Sequence, residues 1–419
     1  MRRSIMVAAL LLVAAQANAD VKRAVYLWGP GWYANCPGSP NCEDADQLTA
    51  ITNDSLALYD VIVSPQDKVW NINSQTTWDG RVAAIRALTD TLIFLTYIRP
   101  FDFKITEIAY YESHLTPEYP ESTYWEWRAG RFGSQNTFAR DRNGEEWSRW
   151  ADLRLMNFLA PGYIHRYLDL LQYYIELNSW NADVSPHKNG FWIDWFSDSI
   201  WFLNGSETDS LDLDRDCLKH ADDVDEIAAV QAAYSALIDS MRARWTNLVI
   251  VGNGTWARHD STFAGKLDGA NLEKLAQDGW QQGTCGELGY AIMPQVEASY
   301  YRSVPNMLAN GWYDDTRGGP YILYDAVIGN RQAVAASLLL NRTYAVISYE
   351  PDNEAWSTFR RGWARPPNAL VQLGQDATAA AIWTPASCMA TRAFGDSTLT
   401  VTIPLASTQY VRDLVWSFK

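Results

Sequence analysis

Hydrophobic and polar positions along this 419-residue chain follow two rhythms, one of short β-type runs and one of helical period. Residues 24–28, 59–64, 92–98, 190–198, 248–251, 267–273, 321–324 and 344–349 are short runs rich in β-branched and aromatic residues, and they read as eight strands. Helical stripes separate most of them. Residues 78–88 place Val82, Ile85 and Leu88 on one face, and residues 162–178 do the same with Ile164, Tyr167, Leu168, Leu171 and Ile175. Residues 222–245 point Val224, Ile227, Tyr234, Ile238, Met241 and Trp245 inward, residues 331–340 form a further helix, and residues 293–308 are helix-like. Eight β segments alternating with helices favour the α/β class and a (β/α)8 TIM barrel over an open doubly wound sheet. No GxGxxG or Walker spacing follows the first strand, which argues against a nucleotide fold.

The rhythm breaks twice. Residues 99–161 form an insertion with little apolar periodicity, and its aromatic content argues for function rather than disorder. After Pro366, residues 381–383, 389–394 and 397–403 are strand-like and separated by turns. The organisation expected is a barrel over 20–366 and a small antiparallel β appendage over 367–419, packed on the barrel.

The amino terminus changes the picture of location. Arg2 and Arg3, the apolar run Val7 to Ala15 and Ala17-Asn18-Ala19 have the order of a secretory signal peptide over 1–19. The run is too short to cross a bilayer of about 30 Å. A secreted or periplasmic protein is expected, and five cysteines suit an oxidising compartment. Cys36 and Cys42 bracket a short loop, Cys217 and Cys285 are open to pairing, and Cys388 is left single. The five histidines, His114, His165, His187, His220 and His259, are scattered without zinc-site spacing, so neither metal nor cofactor is expected. A formal charge of -15 repels nucleic acid and anionic membranes, and a neutral or cationic partner is easier to accept. With 20 Trp and 22 Tyr, the chain is rich in flat apolar faces with polar edges, which suit the C–H faces of sugars as well as a protein core.

Candidate chemistry starts from Asp194, a carboxylate set inside the apolar run Gly190-Phe191-Trp192-Ile193-Asp194-Trp195-Phe196. Desolvating it costs several kcal/mol, on the order of 3–5, unless it is paired, hydrogen-bonded or in use. A loop cap or an arginine pair is the plainer explanation. Working residues of barrels lie at the C-terminal ends of strands. Those positions hold Asp194, Glu273, Asp325 and Glu350, with Arg99 ending the third strand and Asn253 following the fifth. Two carboxylates across a cleft are what glycoside hydrolysis requires, one kept protonated and one ionised. Asp194 is expected as nucleophile and Glu273 as general acid/base, which implies retention; the alternative for Glu273 is a surface residue starting a helix. Asp325 and Glu350 are expected to bind substrate or to pair with Arg331 or Arg342. Trp28, Trp32, Trp195 and Trp256 are candidates for the mouth of the barrel, and Trp125 and Trp127 for its extension on the insertion.

The segments Asn189-Gly190-Phe191-Trp192-Ile193-Asp194-Trp195, Leu267-Asp268-Gly269-Ala270-Asn271-Leu272-Glu273 and Arg392-Ala393-Phe394-Gly395-Asp396-Ser397 resemble those of hypothetical bacterial glycoside hydrolase families with TIM barrels. These families lie near the α-amylase and polygalactosaminidase-like barrels. The resemblance runs through most of the chain from about residue 21 to 403, and implies a strand-four Asp and a strand-six Glu as the acidic pair, together with a short β module after the barrel. A polysaccharide or oligosaccharide is then the expected partner. Two rivals remain from the residues alone: a non-catalytic carbohydrate-binding barrel, and an exported structural or interaction protein.

Overall fold

The computed structural model describes residues 23–27, 53–57, 59–65, 82–104, 138–147, 153–177, 183–184, 187–194, 210–253, 266–273, 306–310, 343–349, 382–384, 389–394, 397–402 and 415–418. Seventeen strands lie among them. They are β1 Arg23–Leu27, β2 Val61–Pro65, β3 Ile93–Ile98, β4 Asp102–Lys104, β5 Arg140–Asp141, β6 Leu153–Leu155, β7 Asp183–Val184, β8 His187–Ile193, β9 Leu211–Asp212, β10 Val249–Asn253, β11 Gly269–Glu273, β12 Asn306–Asn310, β13 Thr343–Tyr349, β14 Ile382–Thr384, β15 Met389–Phe394, β16 Ser397–Thr402 and β17 Val415–Phe418. The helices are α1 Asn53–Leu56, α2 over 82–86, α3 Tyr163–Leu177 and α4 Val224–Arg244. None of these helices is long and apolar enough to cross a membrane.

The chain divides into two compact units, one of Val25–Glu273 with Ala298–Met307 and one of Met1–Ala24, Lys274–Glu297 and Leu308–Lys419. In the first, β2, β3, β8, β10 and β11 pair in that order and all run parallel. Parallel strands covered on both faces need continuous apolar runs. Val61, Ile62 and Val63, then Phe94 to Ile98, Phe191 to Ile193 and Val249 to Val251 are accordingly buried. β7 adds an antiparallel turn at the N-terminal end of β8. The second unit carries the antiparallel sheet β14-β15-β16-β17, in which β15 and β16 pair from Met389↔Thr402 to Phe394↔Ser397.

Alternation along β8 identifies the two sides of the parallel sheet. Phe191 meets the ring of Trp245, the C-cap of α4, at 6.1 Å, so its side is the one on which that end of the helix packs. Trp192 and Asp194 belong to the opposite side. On α4, Val230, Tyr234, Leu237, Ile238 and Met241 are buried, and Trp245 Nε1 donates to Gln172 of α3 at 2.9 Å. Arg242 fixes the start of β10 and β11. It donates to the carbonyls of Leu248 at 2.6 Å and Lys266 at 2.9 Å, and also to Asp268, which accepts the Ile250 amide at 2.7 Å.

Gly190 of β8 is required by close approach. A Cβ there would lie 2.0 Å from the Val249 carbonyl oxygen, and backbone cannot rotate away as a side chain can. Gly190→Ala is expected to destabilise by about 1–3 kcal/mol, the usual range for overpacking. A thermal melt equal to that of the wild type would contradict the close contact.

Several sequence expectations change. Val224, expected inward, is 76% exposed, and Leu88, placed on the apolar face of its stretch, is 52% exposed. Both sit at or beyond a helix end, where the apolar stripe has no neighbour to meet. The helix-like stretch 293–308 ends in β12, since a short apolar run flanked by Asn306 and Asn310 does not distinguish helix from strand by period alone. The fourth strand runs three residues earlier than the apolar run suggests, from His187, and stops at Ile193. Cys217 is an exposed free thiol, so the pairing with Cys285 left open by the sequence is not made. Residues 1–22, the 321–324 strand and the 331–340 helix lie outside the described residues.

Candidate active site

The insertion over 99–161, expected as irregular, has an ordered stem. β4 pairs antiparallel with β6, β5 pairs antiparallel with β9, and Phe138 bridges Met156. β9 follows Asp194 and β8 along the chain, so the stem pairs a segment after β3 with one after β8. Asn157 Nδ2 adds a bond to the Leu213 carbonyl at 2.9 Å. An aromatic cluster lies beneath: Phe101 is 4.3 Å from Phe158 and 4.5 Å from Tyr234 of α4, centroid to centroid. Two-residue strands such as β5 and β9 are too short for any alternation to be legible in a sequence.

Asp194 is the first residue beyond β8, at the C-terminal edge of the parallel sheet, and is only 9% exposed. Its amide donates to the Ile98 carbonyl at 2.9 Å, extending the β3 ladder by one bond. Its carboxylate is held from both sides. Tyr97 of β3 donates its hydroxyl to Oδ2, and Asn253 of β10 donates its amide to Oδ1 at 2.6 Å. Tyr97 and Asn253 are themselves buried, at 7% each. The register explains the convergence, because Tyr97 and Val251 are the Cα partners of Trp192. Alternation therefore puts Tyr97, Trp192, Asp194, Val251 and Asn253 on one side of the sheet, with Trp192, Leu95 and Val251 as a buried apolar floor.

The same register reaches β11. Asn253 is the Cα partner of Asn271, and Glu273 is the last residue of that strand, two positions further along. Glu273 thus ends a strand, and residues 274–280, where the alternative helix would run, lie outside the described residues. Arg99 follows β3 and is half-buried. Trp28, Trp32, Trp125, Trp127, Trp195, Trp256, Asp325 and Glu350 lie outside the described residues. Tyr97 was not singled out in the sequence. Its signal was its place near the end of the third strand, in step with the residues that flank Asp194.

A second carboxylate group lies in the loop from β9 to α4. Oxygens of Asp212, Asp214 and Asp216 come within 4.8 Å of one another, as do those of Asp214, Asp223 and Glu226. Most are already engaged by backbone. Asp212 accepts the amides of Asp216 at 3.1 Å and Cys217 at 3.0 Å, and Asp223 caps α4 through the amides of Asp225 and Glu226. Glu226 accepts from Leu213 at 2.5 Å and Asp214 at 3.0 Å, and lies 2.5 Å from Nδ1 of His220. Burial pushes the Asp214 carboxyl up, opposed by the Asp216 amide and reinforced by the charges of Asp216, Glu226 and Asp223. These partners describe a loop closed on its own acids.

No protein-family model matches the sequence, and no characterised protein shows significant sequence similarity to it. Solved structures similar to the chain include the glycoside hydrolase domain of PelA from Pseudomonas aeruginosa, at 11% identity and a TM-score of 0.41, with 79% of this chain and 95% of that domain covered. The ligand-free cyclic alpha-maltosyl-(1-->6)-maltose hydrolase from Arthrobacter globiformis aligns at 14% identity and a TM-score of 0.47, covering 91% of this chain and 90% of that one. Eubacterium rectale Amy13B aligns at 9% identity and a TM-score of 0.49, covering 93% and 87% respectively.

Proposed function

We propose that this chain is an exported glycoside hydrolase that cleaves a polysaccharide or oligosaccharide with Asp194 as nucleophile and Glu273 as general acid/base, in a (β/α)8 barrel with a small β module after it. The observation that carries this reading is a buried carboxylate at the C-terminal edge of a parallel strand, oriented by donors from the strands on either side of it, Tyr97 and Asn253. An ionised carboxylate at this edge is what attack on a sugar carbon needs. Glu273 supports the reading by ending the strand next to that of Asn253. The Trp-rich composition and the acidic balance suit a neutral or cationic sugar.

In the first half of the reaction a carboxylate oxygen of Asp194 bonds to the anomeric carbon as the glycosidic C–O bond breaks. The bonding pair leaves with the glycosidic oxygen, which takes its proton from Glu273. In the second half Glu273 removes a proton from water, the water oxygen bonds to the anomeric carbon, and Asp194 departs as carboxylate with net retention. Arg99, Asn253, Asp325 and Glu350, with Trp28, Trp32, Trp125, Trp127, Trp195 and Trp256, are assigned to substrate contact.

The test is a panel of neutral and amino-sugar polysaccharides, offered to the secreted protein and to Asp194→Asn and Glu273→Gln. Glu273→Gln is expected to retain glycosyl transfer from an aryl glycoside with a good leaving group, while losing about 100-fold or more on the polymer, the usual worth of general acid catalysis. Product released as the inverted anomer by proton NMR would refute the nucleophile assignment. Sugar binding without turnover at any pH would favour a non-catalytic binding barrel.

A further inference from the structure

We propose that Tyr97 is the positioning residue of this site, the group that orients the Asp194 carboxylate for attack. This rests on the reading of Asp194 as nucleophile.

The geometry is specific. The carboxylate at the end of β8 is gripped by one donor from each of the two strands that flank it, Tyr97 from β3 and Asn253 from β10. Two donors on the two oxygens fix the plane of the carboxylate, which a single bond would leave free to turn. The flanking strands are tied to β8 by continuous parallel registers, Tyr97↔Trp192 on one side and Val251↔Trp192 on the other, so the grip needs no conformational change to form. Tyr97 is buried and carries its hydroxyl at the end of a rigid ring, so its packing fixes where the donor sits.

The chemistry of the donor matters as much as its place. A phenol stabilises the anion by hydrogen bonding without neutralising it, so the carboxylate retains the charge that an oxocarbenium-like transition state calls for. An arginine in the same place would cancel that charge. When the sugar carbon bonds to Asp194 the negative charge leaves the carboxylate and the phenol bond weakens. When the ester is expelled the charge returns and the bond is restored. Tyr97 keeps its proton throughout and favours the departure step.

The experiment compares steady-state kinetics of the full-length wild type and Tyr97→Phe on whichever polysaccharide of the panel the wild type hydrolyses. The expected result is a fall in kcat of about 100-fold, the scale of removing one preorganised donor, with KM within about threefold. Because a smaller folded fraction would also lower apparent kcat at unchanged KM, both rates are normalised to folded protein, measured by near-UV circular dichroism and the thermal melt. Site-specific 3-fluorotyrosine at position 97 is the second measurement, because it changes the acidity of the hydroxyl while preserving the packing. It is expected to alter kcat by roughly twofold or more at an unchanged Tm. An active wild type in which both changes leave kcat intact overturns the role of Tyr97 alone. A wild type inert on the whole panel overturns the glycosidase reading, and this inference with it.

Discussion

Asp194→Asn is expected to lower kcat by roughly 10⁴-fold or more, equivalent to about 5.4 kcal/mol of transition-state stabilisation. The replacement keeps the shape and removes the charge. An amide cannot attack the anomeric carbon as a carboxylate does, and its NH2 group would face a donor, either Tyr97 or Asn253, in place of one of the two accepted bonds. Some loss of stability is expected with it, on the order of 1–3 kcal/mol for an unmatched buried polar contact. The two effects separate in the data, because the melt reports the second and turnover of folded protein reports the first. Turnover by Asp194→Asn within tenfold of the wild type would remove this residue from the chemistry.

Glu226→Ala is expected to have the largest effect on stability. Glu226 and His220 are each about 1% exposed, and the carboxylate has three partners, the amides of Leu213 and Asp214 and the imidazole of His220. Deleting it strands the buried Leu213 amide and His220 imidazole and frees the Asp214 amide nearer the surface, and removing one member of a buried pair costs about 3–5 kcal/mol. A fall in Tm on the order of 10 °C is expected, with Glu226→Gln falling less because an amide oxygen still accepts from the backbone. The consequence extends to the rim, since the residues that Glu226 holds continue into β9 and so into the stem of the insertion. If limited proteolysis found the two segments no more accessible in Glu226→Ala than in the wild type, that link would be wrong.

The sequence makes some of this arrangement legible and hides the rest, for physical reasons. β3 and the apolar parts of β8 and β10, Phe191 to Ile193 and Val249 to Val251, are short runs of β-branched and aromatic residues, as strands covered on both faces require. Asp194 was conspicuous because it breaks such a run. Glu226 was not. It lies in the first turn of α4, three residues after the capping Asp223, where a glutamate reads as a reciprocal capping partner. The structure sends it instead to Leu213, Asp214 and His220, contacts that no local pattern encodes. Tyr97 was hidden in the same way, since alternation assigns it a side of the sheet but not a partner. β12 and the exposed Val224 show the complementary failure, in which a local apolar pattern has no tertiary surface to match.

The parallel pairing of β3 with β8 also has a kinetic consequence. Tyr97 and Asp194 are 97 residues apart along the chain, and Asp194 and Asn253 are 59 apart. During synthesis β3 therefore leaves the ribosome long before the strand that must lie beside it, and waits as an unpaired edge. Such non-local assembly is slow, and meanwhile it leaves unpaired backbone N–H and C=O groups and apolar side chains open to other chains. The nascent polypeptide should therefore depend on a holding chaperone until β8 has emerged.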